Sequence, residues 1–207
     1  WNDASTLGIY GAAQRPMSIL YLLPGFLSAG IFPIMSRLAA ETSKGRAALL
    51  VKSATTLSII LALPIVVGGI ILAFPFINTV FGPAYISAVP TFTILLLTLL
   101  PIFPGIVFYY ILFAENKQSI FMRSSGIGAV VNIVLDLILI PRLGIAGSAI
   151  ATLCAQGVAT FILFIEIRKR YHFHLLQDFG KTGIALLIMT CITLTLFTLS
   201  APLLFII

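Results

Sequence analysis

Charge is the first thing this sequence lacks. Of 207 residues, 12 are Lys or Arg and only 6 are Asp or Glu, so charged residues make up 9%, where a soluble domain carries about 25%. A water-facing surface cannot be built from so few ionic groups, which excludes an ordinary soluble fold. Cysteine is almost absent. Cys154 and Cys191 both lie inside apolar runs far apart in the chain, so no disulfide framework is implied and both read as small buried hydrophobes. Histidine is equally scarce. His172 and His174 stand beside Arg170 without a Cys or carboxylate cluster, which makes a poor metal site and implies no cofactor. The apolar stretches hold no histidine and no acid–base pair, the equipment that catalysis requires. The chain is therefore expected not to be an enzyme.

What is present is hydrocarbon. Hydrophobic residues make up 60%, and apolar runs longer than about 18 residues recur along the whole chain, which no single signal peptide explains. Six spans can be marked: 7–36, 50–77, 89–113, 120–140, 147–167 and 183–207. Each is long enough to cross a hydrocarbon core of about 30 Å at about 1.5 Å per residue. Lipid offers no hydrogen-bond partners, so the spans must be helices. The expected fold class is all-α, a polytopic transmembrane helix bundle. The sequence opens on Trp1 and ends while still apolar, and it reads as a portion of a longer chain. Pro16, Pro24, Pro33, Pro64, Pro101 and Pro104 fall inside spans and favour kinks there.

The net charge of +6 has a topogenic reading rather than a nucleic-acid one. Arg37, Lys44, Arg46 and Lys52, then Lys117 and Arg123, then Arg168, Lys169, Arg170 and Lys181 cluster in three connections. The intervening connections offer only Arg142. The positive-inside rule places the three basic connections in the cytoplasm, so the chain enters from outside and the sixth span runs outward again. A multi-pass location in the cytoplasmic membrane follows.

Arg15 is the only cation inside the first span, and an intramembrane cation is a functional hypothesis by default. Gly11, Gln14, Ser18, Tyr21, Gly25 and Ser28 recur at spacings of three and four, giving the helix a small and polar stripe. A second role is open to Arg15: reaching to headgroups from the outer end of an overlong helix. Asn132 and Asp136, four apart, share one face of the fourth span. Helix pairing is one role for them, and contact with a coupling ion or a sugar is the other.

Four motifs carry a resemblance. Leu7-Gly-Ile-Tyr-Gly-Ala-Ala-Gln-Arg15 opens the first span, and Leu23-Pro-Gly-Phe-Leu-Ser-Ala-Gly-Ile-Phe-Pro33 with Ser36-Arg37 closes it. Phe81-Gly-Pro-Ala-Tyr85 precedes the third span, and Asn132-Ile-Val-Leu-Asp136 runs on to Ile140-Pro-Arg-Leu-Gly-Ile-Ala-Gly-Ser-Ala-Ile-Ala151. In this order they resemble the polysaccharide and O-antigen repeat-unit flippases of the multidrug/oligosaccharidyl-lipid/polysaccharide superfamily. Asp136 departs from the Asn more usual at that place in the family.

The resemblance implies that residues 1–167 hold helices of the C-terminal lobe of a two-lobe flippase. Residues 168–182 would form a basic cytoplasmic loop and 183–207 an additional helix, with a first lobe supplied elsewhere in the same chain. It also implies transport of a lipid-pyrophosphate-linked oligosaccharide by alternating access, with membrane lipids and that substrate as partners. Arg15, Gln14, Ser18 and Tyr21 would be the substrate-binding residues, joined by Asn132 and Asp136. A multidrug antiporter of the same superfamily and a membrane enzyme or scaffold of polysaccharide assembly are the alternatives.

Overall fold

The computed structural model describes residues 4–41 and 43–171. The sixth span, most of the basic loop, His172, His174, Lys181 and Cys191 lie outside the described residues. Among these residues eight α-helices follow in order: α1 (Ala4–Leu20), α2 (Leu23–Ala40), α3 (Lys44–Ile71), α4 (Ala73–Phe81), α5 (Val89–Leu97), α6 (Leu99–Ala114), α7 (Gln118–Leu143) and α8 (Ile145–Tyr171). A 3-10 turn over Pro83–Ala88 links α4 to α5. Among the described residues there is no strand. Among the described residues five stretches are long and apolar enough to cross a membrane: Thr6–Ala39, Lys44–Ile71, Pro83–Ala114, Gln118–Leu143 and Ile145–Tyr171. The chain is a polytopic membrane helix bundle.

Three of these helices end one turn before a proline. α1 stops at Leu20, α3 at Ile71 and α5 at Leu97, four residues ahead of Pro24, Pro75 and Pro101. Proline has no N–H to offer the carbonyl four residues earlier and its ring crowds that carbonyl, so the helix breaks there. At two of the breaks the chain tightens into a turn: Leu22 N–H bonds the Ile19 carbonyl at 3.1 Å and Thr98 N–H bonds the Leu95 carbonyl at 3.0 Å. Pro16, Pro33, Pro64 and Pro104 stay inside continuous helices. Pro75, which was not among the expected kinks, does break its span.

The charged connections are shorter than the sequence suggests. Lys44, Arg46 and Lys52 already belong to α3, and Arg168–Arg170 still belong to α8. At the corner of α2 and α3, Glu41 takes Arg37 and Arg46, each at 3.0 Å. These exposed pairs contribute little, about 0–1 kcal/mol each. More enclosed is Glu115 after α6. It accepts the Tyr171 hydroxyl and lies 3.6 Å from Arg170 and 3.7 Å from Lys117. Glu166 holds the other side of Arg170 at 2.6 Å. The group fastens the end of α6 to the end of α8.

Two buried clusters stabilise the bundle. One gathers Ala13, Met17, Ile77, Leu95, Leu99 and Phe103 where α1, α4, α5 and α6 meet. The other gathers Met35, Val51, Val107, Phe108, Ile111 and Ile167 between α2, α3, α6 and α8. α7 differs: it packs chiefly on α8, and Met122, Val130, Ile133 and Leu137 stay exposed. The α7–α8 hairpin turns at Gly144, whose φ of 60° suits glycine. It closes tightly at Gly147, where a Cβ would stand 2.5 Å from the Leu139 carbonyl oxygen.

Candidate functional site

α1 brings Arg15, Gln14 and Ser18 to one side. Arg15 and Ser18 are exposed and Gln14 is half-buried, because positions three and four apart share a face while Ala13 and Met17 turn into the core. Arg15 has no carboxylate partner among the described residues. The Ser18 hydroxyl reaches back to the Gln14 carbonyl at 3.4 Å, a weak bond. Gln14 Oε1 is buried without a hydrogen-bond partner. The exposed guanidinium of Arg15 offers donors to a polar ligand.

Tyr21 does not join them. Its hydroxyl lies 2.9 Å from Thr98 Oγ1 inside the bundle, and Thr98 is itself fully buried. The pair ties the α1–α2 break to the α5–α6 break. Ser28, further along the expected stripe, is likewise buried, with no partner for Oγ. Tyr21 N–H still bonds the Met17 carbonyl at 2.9 Å, so helical spacing carries Tyr21 to the buried side with Ala13 and Met17, whereas Ser28 lies beyond the α1–α2 break.

Beside Arg15 runs a groove of about 490 Å³ between α1, α3, α4 and α5. Its walls include Ile19, Ile65, Leu72, Phe76, Val80 and Leu96, and Arg15 is the one polar residue among its twelve lining residues.

Asn132 and Asp136 occupy a different place, on the side of α7 that meets α8. Asn132 lines a hollow of about 240 Å³ with Ser125, Thr152 and Gln156. Asn132 Nδ2 and Asp136 Oδ1 are both buried without a partner, so these atoms make no helix-pairing bond. Asn132 is the one of the two that lines the hollow. Among the described residues no group of three His, Cys, Asp or Glu side chains could hold a metal.

Sequence reasoning missed Thr98, Thr152 and Gln156. Thr152 and Gln156 repeat on α8 the four-residue polar spacing of Asn132 and Asp136 on α7, a signal that was readable. Thr98 carried none, since its partner is 77 residues away.

Two known proteins with related sequences are described as probable flippases. The chain is 25% identical over 188 residues to "Probable low-salt glycan biosynthesis flippase Agl15" of Haloferax volcanii, covering 83% of this chain and 39% of that protein. It is 27% identical over 173 residues to "Probable flippase AglR" of the same organism, covering 81% and 36%. The chain thus spans well under half the length of these relatives. Its fold matches a solved structure described as lipid II flippase MurJ in an inward closed conformation, with a TM-score of 0.73 at 20% identity, over 94% of this chain and 42% of that one. A model of the lipid II flippase MurJ family matches residues 12–206, nearly the whole sequence, and the chain belongs to that family.

Proposed function

We propose that this chain forms one lobe of a transporter that flips a lipid-pyrophosphate-linked oligosaccharide across the cytoplasmic membrane for polysaccharide assembly. The observation that carries the reading is Arg15: an exposed cation within a membrane-length apolar span, without a carboxylate partner among the described residues. Such a cation is expensive in a membrane and is retained where it meets an anionic group. A guanidinium presents a fixed fork of donors to phosphate oxygens. Family membership and the glycan-pathway relative support the same class of cargo. The chain acts as a transporter and not as an enzyme. The opposed lobe that alternating access requires comes from sequence outside these residues. Asn132 and Asp136 form a second polar site for a coupling ion or a sugar hydroxyl.

The orientation follows from the basic end of the bundle facing the cytoplasm. With Cys154 and Cys191 first replaced, Thr79→Cys on α4 is expected to react with an impermeant thiol reagent in intact cells, and Gly45→Cys at the start of α3 to be shielded. The opposite pattern would invert the orientation. The function itself is tested by asking whether the protein carries a lipid-linked oligosaccharide from one leaflet of a vesicle to the other.

A further inference from the structure

We infer that a hollow at the basic end of the bundle binds a phosphate group, carried either by an anionic lipid headgroup or by a soluble phosphate compound. The hollow measures about 430 Å³ and lies where the end of α2, the start of α3, the turn after α6 and the end of α8 converge. Arg15 is not among its lining residues. Three cations line it, Lys44, Lys117 and Arg170, together with one carboxylate, Glu115. The cations stand on separate elements, so they can meet the several oxygens of a phosphate from different directions, where a carboxylate ligand offers only two.

These charges are not consumed by one another. Glu115 accepts the Tyr171 hydroxyl at Oε1 and its Oε2 is buried, so the carboxylate is turned into the protein. Glu166, outside the lining, takes Arg170 at 2.6 Å and fixes it as a wall. Lys117 stands 3.7 Å from Glu115 Oε2, longer than a hydrogen bond, and its side chain is 44% exposed. Lys44 is exposed and has no carboxylate partner among the described residues, since nearby Glu41 is held by Arg37 and Arg46. Two ammonium groups are thus free to close on an anion. The first turn of α3, with no acidic residue and no side-chain cap, adds the positive end of its dipole to the same wall. Leu38, Ala39 and Ala47 make the rest of the lining largely apolar, which suits headgroup depth, and basic hollows between helices on the cytoplasmic side hold anionic headgroups. A phosphate between Lys44 and Lys117 would tie the corner of α2 and α3 to the end of α6, beside the Glu115 fastening of α6 to α8.

The test measures binding of phosphatidylglycerol, phosphatidylcholine and inorganic phosphate to the purified protein, as the cell makes it, in detergent. The wild type is expected to bind phosphatidylglycerol about tenfold more tightly than phosphatidylcholine. The double variant Lys44→Gln, Lys117→Gln should erase most of that preference, and neither lysine is in the core. The control Arg168→Gln, Lys169→Gln removes the same charge from exposed positions of α8 outside the lining and should keep the preference. Inorganic phosphate that displaces the lipid from wild type, and whose binding the lysine variant loses, would assign the site to a soluble phosphate. Lipid binding that inorganic phosphate does not displace would assign it to the membrane. The proposal is overturned if wild type binds neither phosphatidylglycerol nor inorganic phosphate, or if the lysine variant binds them like wild type. It is overturned equally if the control loses as much as the lysine variant, since the effect is then one of surface charge alone.

Discussion

Arg15→Ala is expected to abolish most flipping while the protein still accumulates in the membrane. Arg15 is exposed on α1, so its removal opens no cavity in the core, and the loss would fall on the substrate alone. A charge-assisted bond to a phosphate group contributes about 1.5–3 kcal/mol, which predicts a fall in transport of at least about tenfold. Arg15→Lys should retain part of the activity, since it keeps the charge and loses the paired donors. The measurement compares lipid-linked repeat units on the cytoplasmic leaflet with surface polysaccharide, at matched protein levels. Normal transport in both variants would mean that Arg15 only reaches toward headgroups, where water and lipid can replace it.

The largest effect on folding is expected at Gly147. A Cβ there would meet the Leu139 carbonyl oxygen at 2.5 Å, the Leu139 carbonyl carbon at 2.6 Å and the Ile140 nitrogen at 3.0 Å. All three are backbone atoms, which cannot turn aside as a side chain can. Gly147→Val would force α7 and α8 apart and cost about 3 kcal/mol or more, a large fraction of an ordinary fold's stability of about 5–15 kcal/mol. Gly157, ten residues along the same helix, has nothing within 4 Å of a Cβ, so Gly157→Val serves as the control. Thermal unfolding in detergent should show a collapse for the first and little change for the second. Equal stability in the two variants would show that the hairpin does not depend on the close approach at Gly147.

Both expectations bear on what the sequence could reveal. The spans were legible because lipid leaves the backbone one solution, and hydropathy reports it directly. Their internal breaks were only partly legible. A proline marks where a helix can break, yet Pro24, Pro75 and Pro101 broke theirs while Pro16, Pro33, Pro64 and Pro104 did not. Neighbouring packing decides between those outcomes, and a local sequence does not contain it.

The candidate site divides in the same way. Gln14, Arg15 and Ser18 lie within one turn of one helix, so their shared side followed from helical spacing. Tyr21 went elsewhere because it stands four residues after Met17 and shares its buried side, where it meets Thr98. The groove beside Arg15 is made by four helices, and no stretch of sequence could show it. The Glu115, Glu166, Arg170 and Tyr171 group was hidden for the same reason, since it joins two helix ends 56 residues apart at its Tyr171–Glu115 bond.

The most direct test of the account is transport in reconstituted vesicles. The protein, as the cell makes it, is incorporated with a fluorescent lipid-pyrophosphate-linked oligosaccharide in both leaflets, and an impermeant quencher is added outside. The account predicts that the pool sheltered in the inner leaflet becomes quenchable well ahead of protein-free vesicles, and that Arg15→Ala vesicles lose most of that gain. A sheltered pool that stays protected in wild-type vesicles, in protein shown to be folded, would contradict it.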